Sequence, residues 1–467
     1  MIKKFFLLLI FSLQIVFAQE DVKEYIDRLI SNDTSEQISV FVYDPISMDT
    51  IYNRNIYENL IPASNIKLYT TATALSMLAN QTYLVTKVFA DDINLGDSTI
   101  NGNLYIKGYG DALFEEKDLD SLVTNINELG IKKIDGQIIA DESYFDKIYT
   151  RDDWITDERA NVPLPPISGL SLDRNRVIVK FITSNSAGEK PDYEILPFGN
   201  FYNVEMNAKI TNFNSRPRIN FRTEEGAINI RIDGGIRKRK YPYSYYVHPD
   251  SPAVFIAYLF RDKLIRSGIE ITGNAISGIM PVSTFELTSV THKFLDLVNK
   301  VNKESDNYLA ENLFKILGSE YSQKQGNSFY ATQAVMTFLE EHDIFNEGIT
   351  IVDGSGISRY NKTSTASIVN LLEYIYLDIE HFDFFFNSLS IAGRDGTLED
   401  RMYESAAYEN FRGKTGTLNG VSSISGYLTT KSNRDLIVSI LMNFSSKGQN
   451  YYRGIQDKII SYLAENL

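Results

Sequence analysis

The sequence predicts an α+β fold in which one domain is split by a long, mainly β insertion forming one or two smaller domains. Three observations predict it. Both ends of the chain mix helical and strand-like segments. The stretch from about Tyr83 to Gly278 reads as short alternating runs separated by turn residues. A length of 467 residues exceeds the roughly 100–200 of one ordinary domain, so more than one core is expected. The expected division is 1–18 as an export signal, 19–84 with 279–467 as the split domain, and 85–278 as the insertion.

The elements follow in order. In MIKKFFLLLIFSLQIVFA two lysines precede an apolar run broken only by Ser12 and Gln14, and Val16 and Ala18 suit cleavage before Gln19, which reads as a secretory signal peptide. Val22, Tyr25, Ile26, Leu29 and Ile30 then mark one helical face within Glu20–Ser31. Ile38–Tyr43 and Thr50–Asn53 form a hairpin across Asp44-Pro45-Ile46-Ser47. A helix starts after Pro62, because Ala63–Leu78 is rich in helix formers and lacks Gly and Pro.

Within the insertion the expected strands are Val85–Phe89, Gly102–Ile106, Gly136–Ala140, Arg176–Ile182, Asn203–Ile210, Arg218–Thr223 and Ala227–Ile232. Helices are expected at Leu119–Leu129 and Ala253–Ser267, and loops at Pro163–Pro166 and Ser184–Pro191. From about Phe285 the pattern turns helical, over Lys293–Val301, Asp306–Leu317, Tyr330–Glu341 and Thr365–Ile379. Strands at Ser422–Thr430 and Leu436–Asn443 and a helix at Gly454–Glu465 finish the split domain.

Composition narrows the function. A formal charge of −14 disfavours nucleic acid as a partner, since phosphate binding needs a basic surface. The absence of Cys forbids disulfides, thiolate metal sites and cysteine nucleophiles. His248, His292, His342 and His381 are scattered, with no HExxH. Gly108-Tyr109-Gly110 lacks the third glycine of a dinucleotide fingerprint, Arg237–Lys240 reads as a solvated hairpin face, and Asp353-Gly354-Ser355-Gly356 reads as a tight turn.

Three short motifs carry chemistry. Ser64-Asn65-Ile66-Lys67 places a hydroxyl and an amine at i, i+3 on one helix face near its N-terminus. A serine at its free pKa is a poor nucleophile and needs an adjacent base, and lysine serves when burial or a nearby cation lowers its pKa. Ser305-Asp306-Asn307 adds a second hydroxyl and an amide at a helix start, where such residues also serve as caps. Lys414-Thr415-Gly416-Thr417 offers a cation beside a glycine, which lets a substrate backbone approach a strand edge while its carboxylate is paired; a hairpin turn has the same composition.

S-x-x-K, S-D-N and K-T-G in this order are the signatures of the penicillin-recognising serine enzymes. Within that group the chain resembles the class C low-molecular-mass penicillin-binding proteins, the multidomain D-alanyl-D-alanine carboxypeptidase/endopeptidases. Segments such as ESDNYLAENLFK, VDGSGISRYN, AGRDGTLEDRM and GKTGTLNGVSSISGYL carry the likeness beyond the motifs, and it covers nearly all of the chain after the signal. The long separation of Lys67 from Ser305 is the family's hallmark. The resemblance implies that the two flanks fold into a transpeptidase/β-lactamase-like domain.

It also implies the site. Ser64 attacks the carbonyl of a D-Ala-D-Ala-type amide and Lys67 takes its proton. Ser305 relays that proton to the leaving amine, Asn307 binds the substrate amide, and Lys414 anchors the terminal carboxylate with Thr415 or Thr417. The N–H groups of Ser64 and Thr417 form the oxyanion hole, while Gly416 keeps the strand edge open. Peptidoglycan stem peptides and β-lactam antibiotics are the implied partners, no metal or organic cofactor is needed, and the expected location is the periplasm, with no transmembrane segment after signal cleavage. Two rivals share the motifs or the size: a β-lactamase, which lacks room for the insertion, and a catalytically idle peptidoglycan-binding protein, against which the intact motifs argue.

Overall fold

The computed structural model describes residues 21–31, 37–78, 83–92, 98–154, 164–224 and 226–467. The export signal at 1–18 and Pro163 of the first expected loop lie outside them. The strand Gln37–Asp44 reads as a nearly unbroken apolar run because both of its faces are buried. Phe41 faces one core, and Val40 and Val42 face another. The strand sits inside a six-stranded sheet whose order is Ser390–Ile391, Phe411–Leu418, Val421–Thr429, Asp435–Asn443, Gln37–Asp44 and Asp49–Arg54, with every neighbour antiparallel. The amphipathic helix Val22–Ile30 packs with Gln449–Asn466 over one face. The helices Ile66–Met77, Phe294–Lys303, Asn307–Ser322, Ser328–Glu341, Thr365–Leu377 and Phe382–Ser388 build the core on the other.

The insertion has its own core. A five-stranded sheet runs in the order Ala275–Ser277, Ile138–Asp141, Leu104–Gly108, Tyr83–Ala90 and Phe285–Lys293, covered by the helices Glu116–Glu128 and Pro252–Arg266. Further strands form smaller sheets: Val177–Ile182 lies between Asp192–Leu196 and Tyr243–Val247, and Ala227–Arg237 pairs with Tyr202–Met206, Lys209–Thr211 and Pro217–Glu224.

Several expected elements differ in detail. Phe285–Lys293, where the sequence turns helical, is instead a strand antiparallel to Tyr83–Ala90, so the chain enters and leaves the insertion side by side. Its Val and Thr residues favour a pleated surface over a helix. The single strand expected at Asn203–Ile210 is broken into two, each parallel to a different part of Ala227–Arg237. Among the described residues no helix is long and apolar enough to cross a membrane.

Candidate active site

Ser64 lies in a single 3₁₀ turn, Ala63–Asn65, from which the helix Ile66–Met77 continues. Ala63 holds left-handed backbone at φ 47° and packs under Gly356, where a Cβ would come within 2.0 Å of the Ala63 carbonyl oxygen. The helix behind the turn is buried all round from Ile66 to Leu75, which explains its weak amphipathicity. Two of its hydroxyls tie it to neighbouring segments: Thr70 Oγ1 donates to the Gly354 carbonyl at 2.9 Å, and Tyr69 OH donates to Ser367 Oγ at 2.8 Å.

Lys67 is fully buried one turn below Ser64. Its Nζ reaches Ser64 Oγ at 3.0 Å, Asn307 Oδ1 at 2.6 Å and the Ser355 carbonyl at 2.6 Å. The latter two oxygens only accept. A neutral amine has two N–H donors and one lone pair, so these acceptors take both hydrogens and leave the lone pair directed at the Ser64 hydroxyl. Burial lowers the Lys67 ammonium to about 8, against the opposing pull of Glu311, Asp353 and Asp306. Glu311 and Asp353 are themselves buried, and burial raises both carboxyls, Glu311 to about 8. Glu311 accepts from the Ser355 N–H at 2.8 Å, which fixes the carbonyl that holds Lys67.

The second motif opens the helix Asn307–Ser322. Ser305 is left-handed at φ 56°, and Asp306 caps the helix by accepting from the Leu309 N–H at 3.0 Å. That turn delivers Asn307 to Lys67 and leaves Ser305 lining the cleft beside Ser64. The third motif lies within the strand Phe411–Leu418, not in a hairpin turn. Lys414 is fully buried, donates to the Thr415 carbonyl at 3.1 Å, and is held well below the usual lysine range by burial and then by the charge on Lys67. The strand pairs with Ser390–Ile391 only at Arg412 and Gly413, so from Lys414 onward that edge has no strand beside it among the described residues. A Cβ on Gly416 would meet Ser423 Oγ at 2.1 Å and the Ser64 N at 2.9 Å, so glycine is what lets this strand lie against the serine.

The cleft, about 450 Å³, is lined by Ser64, Ser305, Asn307, Thr415 and Thr417. Of the other predicted site residues, Lys67 lies behind the cleft in contact with Ser64 and Asn307, Gly416 lies against Ser64, and Lys414 is fully buried in the same strand. Sequence reasoning missed three further contributors. The Ser355 carbonyl, in the segment read only as a tight turn, is a direct partner of Lys67. Thr397 accepts from Thr415 Oγ1 at 2.8 Å, and Arg453 donates to Thr417 Oγ1 at 3.0 Å. The VDGSGISRYN and AGRDGTLEDRM segments pointed at two of these; Arg453 had no signal.

A serine hydroxyl facing a directed amine lone pair, beside an open strand edge, is equipped for acyl transfer. Fold and site together define a serine-type peptidase. The chain belongs to the D-Ala-D-Ala carboxypeptidase 3 (S13) family, whose profile matches residues 22–466. It is 26% identical over 468 residues to a D-alanyl-D-alanine carboxypeptidase of Actinomadura sp. (strain R39), covering 95% of this chain and 85% of that one. It is 24% identical over 394 residues to the D-alanyl-D-alanine carboxypeptidase DacB of Haemophilus influenzae, covering 81% and 79%. The crystal structure of penicillin binding protein 4 (dacB) from Haemophilus influenzae shares the fold, with a TM-score of 0.80 at 21% identity over 94% of this chain and 99% of that one.

Proposed function

We propose that this enzyme is a periplasmic D-Ala-D-Ala carboxypeptidase/endopeptidase that cleaves peptidoglycan stem peptides and cross-links through a serine ester, and that β-lactams acylate the same serine. The observation that carries the reading is the Lys67 Nζ at 3.0 Å from Ser64 Oγ, with its other two contacts made to pure acceptors. Ser64 attacks the carbonyl of the D-Ala-D-Ala amide while Lys67 accepts its proton, a contribution typically worth about 10²–10⁴-fold. Ser305 passes the proton to the leaving amine, and Asn307 holds the substrate amide. Lys414 anchors the terminal carboxylate with Thr415 or Thr417. The N–H groups of Ser64 and Thr417 receive the oxyanion, where one lost donor costs about 10²–10³-fold. Water then hydrolyses the ester. Residues 19–84 and 279–467 form the catalytic domain in this reading, 85–278 is the insertion, and 1–18 is removed on export.

Incubation with benzylpenicillin followed by intact-protein mass spectrometry tests the reading. One adduct per chain is expected, mapped to the peptide containing Ser64 and absent from Ser64→Ala. No adduct would favour an idle wall-binding protein, and rapid turnover of the antibiotic would favour a β-lactamase. Digestion of purified wall fragments then separates release of terminal D-Ala from cleavage of cross-links.

A further inference from the structure

The insertion carries none of the three motifs, yet one of its turns is built against the second. Asp173, Arg174 and Asn175, just before the strand Val177–Ile182, hold left-handed backbone at φ 46°, 59° and 51°. None is glycine; Asp173 and Asn175 are of types that tolerate this region, whereas Arg174 between them occupies one that its side chain disfavours. Such strain persists only where the surroundings over-determine it. Here Asn175 is fully buried, donates to the Pro166 carbonyl at 2.9 Å and accepts from the Leu172 N–H at 3.2 Å. The Asp173 N–H donates to the Phe114 carbonyl at 3.0 Å.

What this turn holds out is the Arg174 side chain. Its guanidinium meets Asp306 Oδ2 at 2.5 Å and lies 5.8 Å from the centre of the Tyr308 ring. The Tyr308 hydroxyl in turn donates to Ser171 Oγ at 2.9 Å. The residues on both sides of Asn307 are therefore gripped by one segment of the insertion, while Asn307 itself holds Lys67.

We infer that Arg174 is a positioning residue for acylation, its ion pair with Asp306 fixing Ser305 and Asn307 against Lys67. The inference rests on Ser64 being the nucleophile, as proposed above. The pair is partly enclosed, with the Arg174 side chain 31% and the Asp306 side chain 11% exposed, and a planar guanidinium supplies a directionality that an ammonium lacks. Arg174 also offsets the charge of Asp306, which strengthens the hold of Lys67 on its proton. The other charges acting on Lys67 are Glu311 from the helix that Asp306 caps and Asp353 from the Gly354–Gly356 turn, and it is electrostatically linked to Lys414 on the strand.

The test is Arg174→Gly, because glycine accepts the left-handed backbone without strain and the substitution removes only the side chain. Stopped-flow acylation by benzylpenicillin across pH, with thermal unfolding alongside, reads the outcome. Acylation is expected to fall by about 10- to 100-fold, as for a small misplacement of reacting groups. The unfolding temperature stays close to wild type, and the rising limb of the pH profile moves to higher pH. Arg174→Lys keeps the charge, so its limb stays in place while the rate recovers in part. A folded Arg174→Gly enzyme acylated at the wild-type rate would overturn the inference. So would a slower enzyme whose limb is unmoved and which Arg174→Lys does not rescue, since that is the behaviour of a mere structural prop. Failure of the wild type to be acylated at Ser64 would instead sink the functional reading, and this inference with it.

Discussion

Asn65 donates its side-chain amide to the backbone carbonyl of Lys414 at 3.0 Å, so a buried hydrogen bond joins the turn that carries Ser64 to the strand that carries the third motif. Asn65→Ala removes that donor from a buried carbonyl, a change that costs about 1–3 kcal/mol. Urea unfolding should show the lower stability. Acylation by benzylpenicillin should slow in the same variant, because the strand edge is no longer tied to the serine.

The pH dependence follows from Lys67. A base acts only when unprotonated, and burial sets this group to about 8, so acylation should rise as the pH passes upward through about 8 and fall away below it. Glu311 opposes that lowering. Glu311→Gln should therefore move the limb to lower pH. Acylation rates measured from neutral to alkaline pH on both proteins check the direction, and a limb that moved upward would contradict the sign.

In the proposed reading Lys67 and Lys414 share a charge but not a role. Lys67→Ala should depress acylation by every substrate, with or without a carboxylate. Lys414→Ala should chiefly harm substrates that carry a free carboxylate. Paired thioester substrates differing only in that carboxylate separate the two. Equal losses on the substrate without it would rule out Lys414 as the anchor.

Gly416→Ala tests how closely the third-motif strand must lie against the serine. The added methyl would stand 2.1 Å from Ser423 Oγ, 2.7 Å from the Pro62 carbonyl oxygen and 2.9 Å from the Ser64 N. The hydroxyl can turn away, whereas the two backbone atoms cannot. The strand must shift outward, and a displacement of that order costs about 10²-fold in rate. The variant should fold, bind substrate weakly and acylate slowly, measurable as a loss in kcat/KM.

The first two motifs were legible because their geometry is local: Ser64 and Lys67 meet at i, i+3, and Ser305-Asp306-Asn307 both caps a helix and faces the cleft. The helix Ile66–Met77 and the strand Asp435–Asn443 were legible from composition, a run of helix formers without Gly or Pro in the first and a continuous apolar run in the second. Phe285–Lys293 was not, because a register shift between Glu286 and Thr288 spoils its alternation and neither face is fully buried. Asp192–Leu196 is an edge strand with its first three residues exposed, and so offers little apolar pattern. The Ser355 carbonyl is a backbone atom, and no side-chain pattern announces which carbonyl a lysine will meet. Arg174 lies far from Asp306 in sequence, and only the tertiary fold places them together.

The pairing of Gln37–Asp44 with Asp435–Asn443 sets the order in which the molecule is made. An early strand buried on both faces has its inner neighbour near the other end of the chain, so the main sheet closes only after that late strand has been synthesised. The five-stranded sheet, whose strands all lie between Tyr83 and Lys293, can form before then. Long-range pairing of this kind is slow, and an apolar strand waiting with a bare edge invites aggregation. A nascent chain cut short before Asp435 would accordingly present a folded insertion, no acylation, and a sticky Gln37–Asp44 that a holding chaperone must cover.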